Sequence, residues 1–152
     1  GEVSLSVAEE AVEKASLPVH VGLVAPYVQL YSGLTAVEHL SFVERLRGHA
    51  PDSEWHEELL RLVGLGGRGG ERVGNFSSGM GQRLKYALAL VHRPVILCLD
   101  EPTANLDTSG ADVVRSVAEQ HRARGGILIV ATNEVGELAW GNQRVDVGME
   151  AG

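Results

Sequence analysis

Residues 95–99, Val-Ile-Leu-Cys-Leu, are apolar without a break and run straight into Asp100 and Glu101. Such a run, with β-branched members and no alternation, predicts a strand buried on both faces, as in a parallel sheet. Pro102 lacks the amide that a sheet ladder needs, so the strand stops before it. Residues 127–131, Ile-Leu-Ile-Val-Ala, predict a second strand of this kind, with Thr132 and Asn133 at its carboxyl end. Residues 19–25 predict another, apolar at Val19, Val21, Leu23 and Val24 and stopped by Pro26. Residues 1–7 alternate at Val3, Leu5 and Val7, the pattern of a half-buried strand. The acidic residues 8–16 suit a short helical turn on the surface, and Val145 with Val147 a last strand.

Between these runs the apolar period changes to that of a helix. Thr35-Ala-Val-Glu38 matches a capping box, in which two side chains satisfy free amides at a helix start. Val37, Leu40, Val43 and Leu46 then form a stripe, and Gly48 stops it. A second helix starts near Asp52, with Trp55, Leu59, Leu62 and Val63 inward and Glu54, Glu57 and Glu58 outward. Residues 64–70 hold five glycines but no Gly-Lys-Ser or Gly-Lys-Thr ending, so they read as a loop. Residues 80–92 predict a helix through Leu84, Ala87, Leu88 and Val91, with Ser77 or Ser78 as its N-cap. Residues 108–121 predict another, started by Asp107 or Thr108, with Val113, Val117 and His121 on one face. Asn133 is placed to cap a short helix running to Trp140. Helices that alternate with apolar strands imply an α/β fold with parallel pairing.

Composition narrows the picture. The chain has 152 residues, 44% of them hydrophobic, enough for one domain with a core. A net charge of −7 speaks against nucleic acid as the main partner, because phosphate binding needs a basic face. The single cysteine, Cys98, lies within an apolar run, reads as a small buried hydrophobe and permits no internal disulfide, which fits a cytoplasmic setting.

The chemistry is concentrated at Asp100 and Glu101. In open α/β sheets ligands bind at the carboxyl ends of the strands. Two adjacent acids there are costly unless a cation or a proton relieves them. They read either as an aspartate linked to Mg²⁺ beside a glutamate base, or as solvated acids in a strand-end turn. The Ser77-Ser78-Gly79 start of the following helix likewise reads either as an anion site or as an ordinary serine cap.

These stretches, in this order, resemble the nucleotide-binding domain of an ATP-binding cassette (ABC) ATPase. Phe76-Ser-Ser-Gly-Met-Gly-Gln-Arg-Leu84 resembles the family's signature motif. Residues 95–101 resemble the Walker B strand with its glutamate, and Ala104-Asn-Leu-Asp107 resembles the D-loop. Residues 30–40 resemble the segment after the Q-loop, so the likeness covers nearly the whole chain. It implies a P-loop NTPase-like three-layer parallel-sheet core, incomplete here, with an inserted α-helical subdomain. Residues 1–33 would be the strand and Q-loop region, 34–92 the helical subdomain and signature helix, and 93–152 the Walker B, D-loop and switch region. The implied function is ATP hydrolysis coupled to transport, with ATP and Mg²⁺ as cofactors. Asp100 would hold the metal, and Glu101 would orient and deprotonate the attacking water. Ser77, Ser78 and Gly79 would contact the γ-phosphate of ATP bound to an opposing domain, and Asp107 would meet that domain across a head-to-tail dimer. A membrane subunit would be the other partner, placing the protein at the inner face of the cell membrane.

Four departures qualify the resemblance. No Walker A lysine is present, since neither Lys14 nor Lys85 follows a glycine-rich loop. The expectation is an amino-terminally shortened domain, inactive on its own, with residues 95–99 left at an open sheet edge. The Q-loop glutamine position falls on Pro26, with Gln29 out of register. The switch histidine position falls on Asn133, which can donate a hydrogen bond to phosphate but cannot carry a proton at neutral pH. The signature has Ser78 and Met80 where the family usually has Gly and Gln. Pro26 and Asn133 both bear on handling of the γ-phosphate, so slow turnover is expected in the intact protein. The alternative from another class is a non-catalytic ABC-like module used for binding or assembly. Coiled-coil ABC ATPases of DNA repair are disfavoured, since no sustained heptads occur in these residues, and translation-factor relatives would need a second cassette.

Overall fold

The computed structural model describes residues 5–7 and 10–146. Strands β1 (Ser6–Val7) and β2 (Glu10–Ala11) form a small antiparallel pair of their own. The acidic residues after β1 therefore include a strand, and the turn that follows is a 3₁₀ helix, Lys14–His20. Val3 and Val147 lie outside the described residues. Val145 is 86% exposed and belongs to no strand, so the last predicted strand is absent at that residue.

Strands β3 (Val21–Val24), β4 (Ile96–Asp100) and β5 (Ile127–Ala131) form the main sheet. All pairing is parallel, in the order β3-β4-β5. Leu23, Cys98 and Ile129 lie side by side across it. β4 is thus central and paired on both sides, which corrects the expectation of an open edge at residues 95–99. Among the described strands, the open edges belong to β3 and β5.

The α-helices among the described residues are α1 (Ala36–Leu46), α2 (Ser53–Leu62), α3 (Ser78–Leu90), α4 (Thr108–Ala123) and α5 (Val135–Leu138). Their starts are set locally. Thr35 accepts from the Glu38 amide while the Glu38 carboxylate accepts from the Thr35 amide, so the capping box is complete. Asp52, Ser77 and Asp107 each accept from the amide three residues on. Only α5 lacks such a cap. Its N-cap is Glu134, without a side-chain bond, which corrects the assignment of that role to Asn133.

One face of the sheet is covered by helices. α3 packs on β3 and α4 on β5. Val24, Leu97 and Leu99 join Leu84 and Ala87 of α3 and Val114 and Val117 of α4 in one core. The other face carries Leu23, Ile127 and Ile129, which are 44%, 47% and 52% exposed. The strands predicted to be buried on both faces are therefore covered on one only among the described residues. Their apolar outward positions are written for a second layer, as a three-layer fold requires. Helices α1 and α2 rest on α3, and Trp55 of α2 donates its indole N–H to the Val91 carbonyl just beyond α3, at 2.8 Å. Between α1 and α2, His56 and Glu44 form a buried pair at 2.5 Å.

His92, in the turn between α3 and β4, donates from Nε2 to the Val21 carbonyl at 3.1 Å. Burial, and then the nearby charge of Arg47, lowers its pKa from 6.5 to about 4. The unfolded chain therefore takes up a proton near pH 6.5, whereas the folded chain resists until about 4. This contribution to stability is complete above 6.5 and is lost as pH falls through that window. Urea midpoints compared at pH 7 and pH 5 are expected to fall less for His92→Gln than for the natural protein. An equal fall in both would show that His92 is not the titrating group.

Candidate functional site

Two groups of side chains gather at the carboxyl ends of the strands and the helix starts beyond them. The first is at the end of β4. Asp100 closes the ladder opposite Ala131, and the Glu101 amide still donates to the Ala131 carbonyl at 2.9 Å. Glu101 then turns the chain with φ at +48°. A non-glycine residue in the left-handed region costs about 1–2 kcal/mol, and such strain tends to sit where a side chain must be aimed. Here it is aimed at Asn133, whose Nδ2 donates to Glu101 Oε1 at 3.0 Å. The parallel register of β4 and β5 places the two loops side by side, although their residues lie 32 positions apart.

The second group lines a cavity of about 290 Å³ where α3 and α4 both begin. Ser77, Ser78 and Gly79 border it from one helix start, and Asp107, Ser109 and Gly110 from the other. The Ser77 hydroxyl is bound to the Met80 amide at 3.2 Å, while the amides of Ser78 and Gly79 precede the first intrahelical bond. Two helix starts direct free N–H groups and their positive ends toward one space, an arrangement suited to an anion. Asp107 sits there as the N-cap of α4, accepting from the Gly110 amide at 2.8 Å. Its carboxylate is thus partly satisfied within its own chain.

The residues singled out in the sequence therefore fall into two sets. Glu101 and Asn133 touch, with Asp100 adjacent. Ser77, Ser78, Gly79 and Asp107 share the cavity, which neither acid nor Asn133 lines. Met80 borders the cavity while also packing against the core. Arg83 also borders it, but its guanidinium bonds to the Val63 and Gly64 carbonyls at the end of α2. Asn105 is a lining residue that the D-loop pattern placed without a role. Its φ of +63° suits asparagine, which tolerates that conformation better than most residues. Burial pushes the Cys98 thiol up, consistent with an inert packing residue.

Sequence reasoning missed the groups that hold the turn between β4 and α4. Tyr86 of α3, fully buried, donates its hydroxyl to the Pro102 carbonyl at 2.5 Å. Glu137 of α5 accepts from the Thr103 amide at 3.0 Å and from the Thr103 hydroxyl. No local pattern announces either role, because both partners come from distant helices.

The donor set suits the expected cofactors. Among the described residues, no group of three or more metal-binding side chains occurs. A single strand-end carboxylate, that of Asp100, outside any such cluster fits Mg²⁺, which keeps several waters and takes most of its other oxygens from substrate phosphates. The helix-start cavity fits a phosphate group. A larger cavity of about 340 Å³ lies near the amino end of β4, lined by Trp55, Pro94, Val95 and His121 among others. It has no paired acids.

Comparison with known proteins agrees with this fold. The family model described as ABC transporter matches residues 1–104. An ABC transporter ATP-binding protein of Bacillus subtilis, YybJ, is 33% identical over 87% of this chain and 61% of its own length. A second from that organism, YxlF, is 42% identical over 71% of this chain and 37% of its own length. The lipoprotein-releasing system ATP-binding protein LolD of Anaeromyxobacter dehalogenans is 37% identical over 78% of this chain and 51% of its own. The chain thus spans about a third to three fifths of the length of these relatives. In fold, it is similar to a solved ATP-binding cassette dimer in a post-hydrolysis state bound to ADP and Pi. That match has a TM-score of 0.73 at 21% identity, over 92% of this chain and 66% of the other. With paired acids at the end of a central parallel strand, a serine-capped helix before it and a family match over residues 1–104, this chain belongs to the ABC transporter family as part of its ATP-binding domain.

Proposed function

We propose that the protein containing this chain is the ATP-binding subunit of an ABC transporter and couples ATP binding and hydrolysis to transport across a membrane. The observation that carries this reading is the Asn133–Glu101 bond beside Asp100 at the end of β4. A base for water attack must be held in one orientation while its second oxygen stays free. Donation from Asn133 to Oε1 does that for Glu101, and Oε2 remains available for water. Asp100 would hold Mg²⁺, which when bound neutralises charge developing on the phosphates. Ser78 and Gly79 would offer amides, and Ser77 and Ser78 hydroxyls, to the γ-phosphate of a nucleotide carried by an opposing domain. Asp107 would face that domain across a head-to-tail dimer, since it stands at the rim of the same cavity. No helix among the described residues is long and apolar enough to cross a membrane, so the membrane-spanning part would be another subunit or segment. Exposed Phe42 and Leu46 on α1, with Tyr27 and Tyr31 in the loop before it, offer apolar surface for that partner.

Asparagine holds Glu101 but cannot carry charge or move a proton at neutral pH, so turnover is expected to be modest. In the full-length protein, Asn133→Ala is expected to lower kcat for Mg²⁺-dependent ATP hydrolysis about tenfold or more, the effect of losing one hydrogen bond to a charged group. Rapid turnover that is unchanged in this variant would overturn the assignment of Asn133.

A further inference from the structure

Glu137 is 4% exposed, carries a carboxylate and stands on a helix of four residues. A buried carboxylate is costly unless donors meet it, and it persists where the donors hold something in place. Its donors are the Thr103 amide and the Thr103 hydroxyl, both on Oε1, while Oε2 has no partner among the described residues. Thr103 lies two residues after Glu101, and Glu137 four residues after Asn133. The loops that follow β4 and β5 are therefore joined at two rungs. One is the bond from Asn133 to Glu101 at 3.0 Å, and the other is the pair of bonds from Thr103 to Glu137. Tyr86 fixes the residue between them by its bond to the Pro102 carbonyl. Burial and then the Glu137 charge push the Tyr86 hydroxyl well above its ordinary range, so it stays a donor.

We infer that Glu137 is a positioning residue, which through Thr103 holds the β4 loop against the β5 loop and so keeps the Glu101 carboxylate on Asn133. The inference rests on the reading of Glu101 as the base, but the geometry it asserts is measurable without hydrolysis. Glu101 is held in a left-handed turn, and such a conformation persists only while neighbouring contacts over-determine it. Three residues of this turn are tied in succession, by Asn133, Tyr86 and Glu137. Of the three ties, only that of Glu137 joins the turn to the helix that follows Asn133.

The test uses the full-length protein without nucleotide. Two readouts are followed by NMR: the side-chain amide resonances of Asn133 and the hydrogen exchange of the Thr103 backbone amide. Glu137→Ala is expected to move the Asn133 resonances toward those of a free asparagine and to speed Thr103 exchange about tenfold. Glu137→Gln keeps an oxygen acceptor for Thr103 and is expected to preserve both signals. Thr103→Val removes only the hydroxyl donor and is expected to shift the Asn133 resonances in the same direction by a smaller amount. If Glu137→Ala does not fold, Thr103→Val decides. Asn133 resonances unmoved in Thr103→Val and Glu137→Ala would overturn the inference and leave Glu137 as a packing residue. Equal movement in Glu137→Gln and Glu137→Ala would overturn the hydrogen-bond account. An inactive role for Glu101, found by hydrolysis, would remove the catalytic reading while leaving these resonance results standing.

Discussion

Glu101→Gln is expected to lower kcat for ATP hydrolysis in the full-length protein by about 10²–10⁴-fold, the usual contribution of a positioned general base. Glutamine has the same shape and keeps an oxygen to accept from Asn133 Nδ2, so the 3.0 Å bond and the left-handed turn at this residue are retained. What it loses is the ability to take a proton from water. The geometry therefore predicts a separation of chemistry from binding. ATP affinity, measured by calorimetry, is expected to stay within a few-fold of the natural protein, while steady-state hydrolysis falls. Full activity in Glu101→Gln would remove Glu101 from the reaction. A parallel loss of affinity would place Glu101 in nucleotide binding instead. The contrast with Asn133→Ala sharpens this expectation. That change leaves the base in place but frees its orientation, so its effect on kcat should be the smaller of the two.

The largest effect on stability is expected at Gly22, in the middle of β3. A Cβ built there would lie 2.3 Å from the Ala89 carbonyl oxygen and 3.0 Å from Pro94 Cγ. The nearer atom is backbone, so it cannot turn aside. To accept even a methyl group, α3 must move off the sheet, and with it Leu84 and Ala87, which pack against Leu97 and Leu99 in one core. Gly22→Ala is expected to cost about 3 kcal/mol, at the upper end for overpacking. It should also displace the helix that begins at Ser78. Gly33→Ala provides the comparison, because nothing lies within 4 Å of a Cβ there. Its effect should fall within about 0.5 kcal/mol, as for surface changes. Urea unfolding of the two variants measures the difference, and equal midpoints would mean that α3 does not approach β3 as closely as described.

Glycine at position 22 carried no warning in the chain. It sits in an apolar run that predicts a strand, and the strand forms. Its importance comes from the close approach of Ala89, 67 residues away in sequence. The same distinction runs through the site. Helix starts are short-range events, in which a side chain meets the amide three residues on, so Thr35 and Asp52 could be read directly from the residues around them, and the other two starts to within one residue, Ser77 or Ser78 and Asp107 or Thr108. Asn133 looked like another such cap, but Glu101 lies within reach once β4 and β5 pair in parallel, and the asparagine side chain goes there instead.

Local patterning along the chain was enough for the α/β class, four of the five helix starts and the β5 strand, because each depends on the polarity and hydrogen-bonding capacity of residues a few positions apart. The motif resemblance added the roles expected of Asp100, Glu101 and the serine-started helix before them. Only the folded arrangement could show that β4 keeps a paired strand on each side, that the open edges among the described strands fall on β3 and β5, that one sheet face keeps Leu23, Ile127 and Ile129 exposed, and that Tyr86 and Glu137 secure the turn after Glu101. Those facts depend on which distant surfaces meet, and residue order constrains such meetings only through the packing of the whole domain.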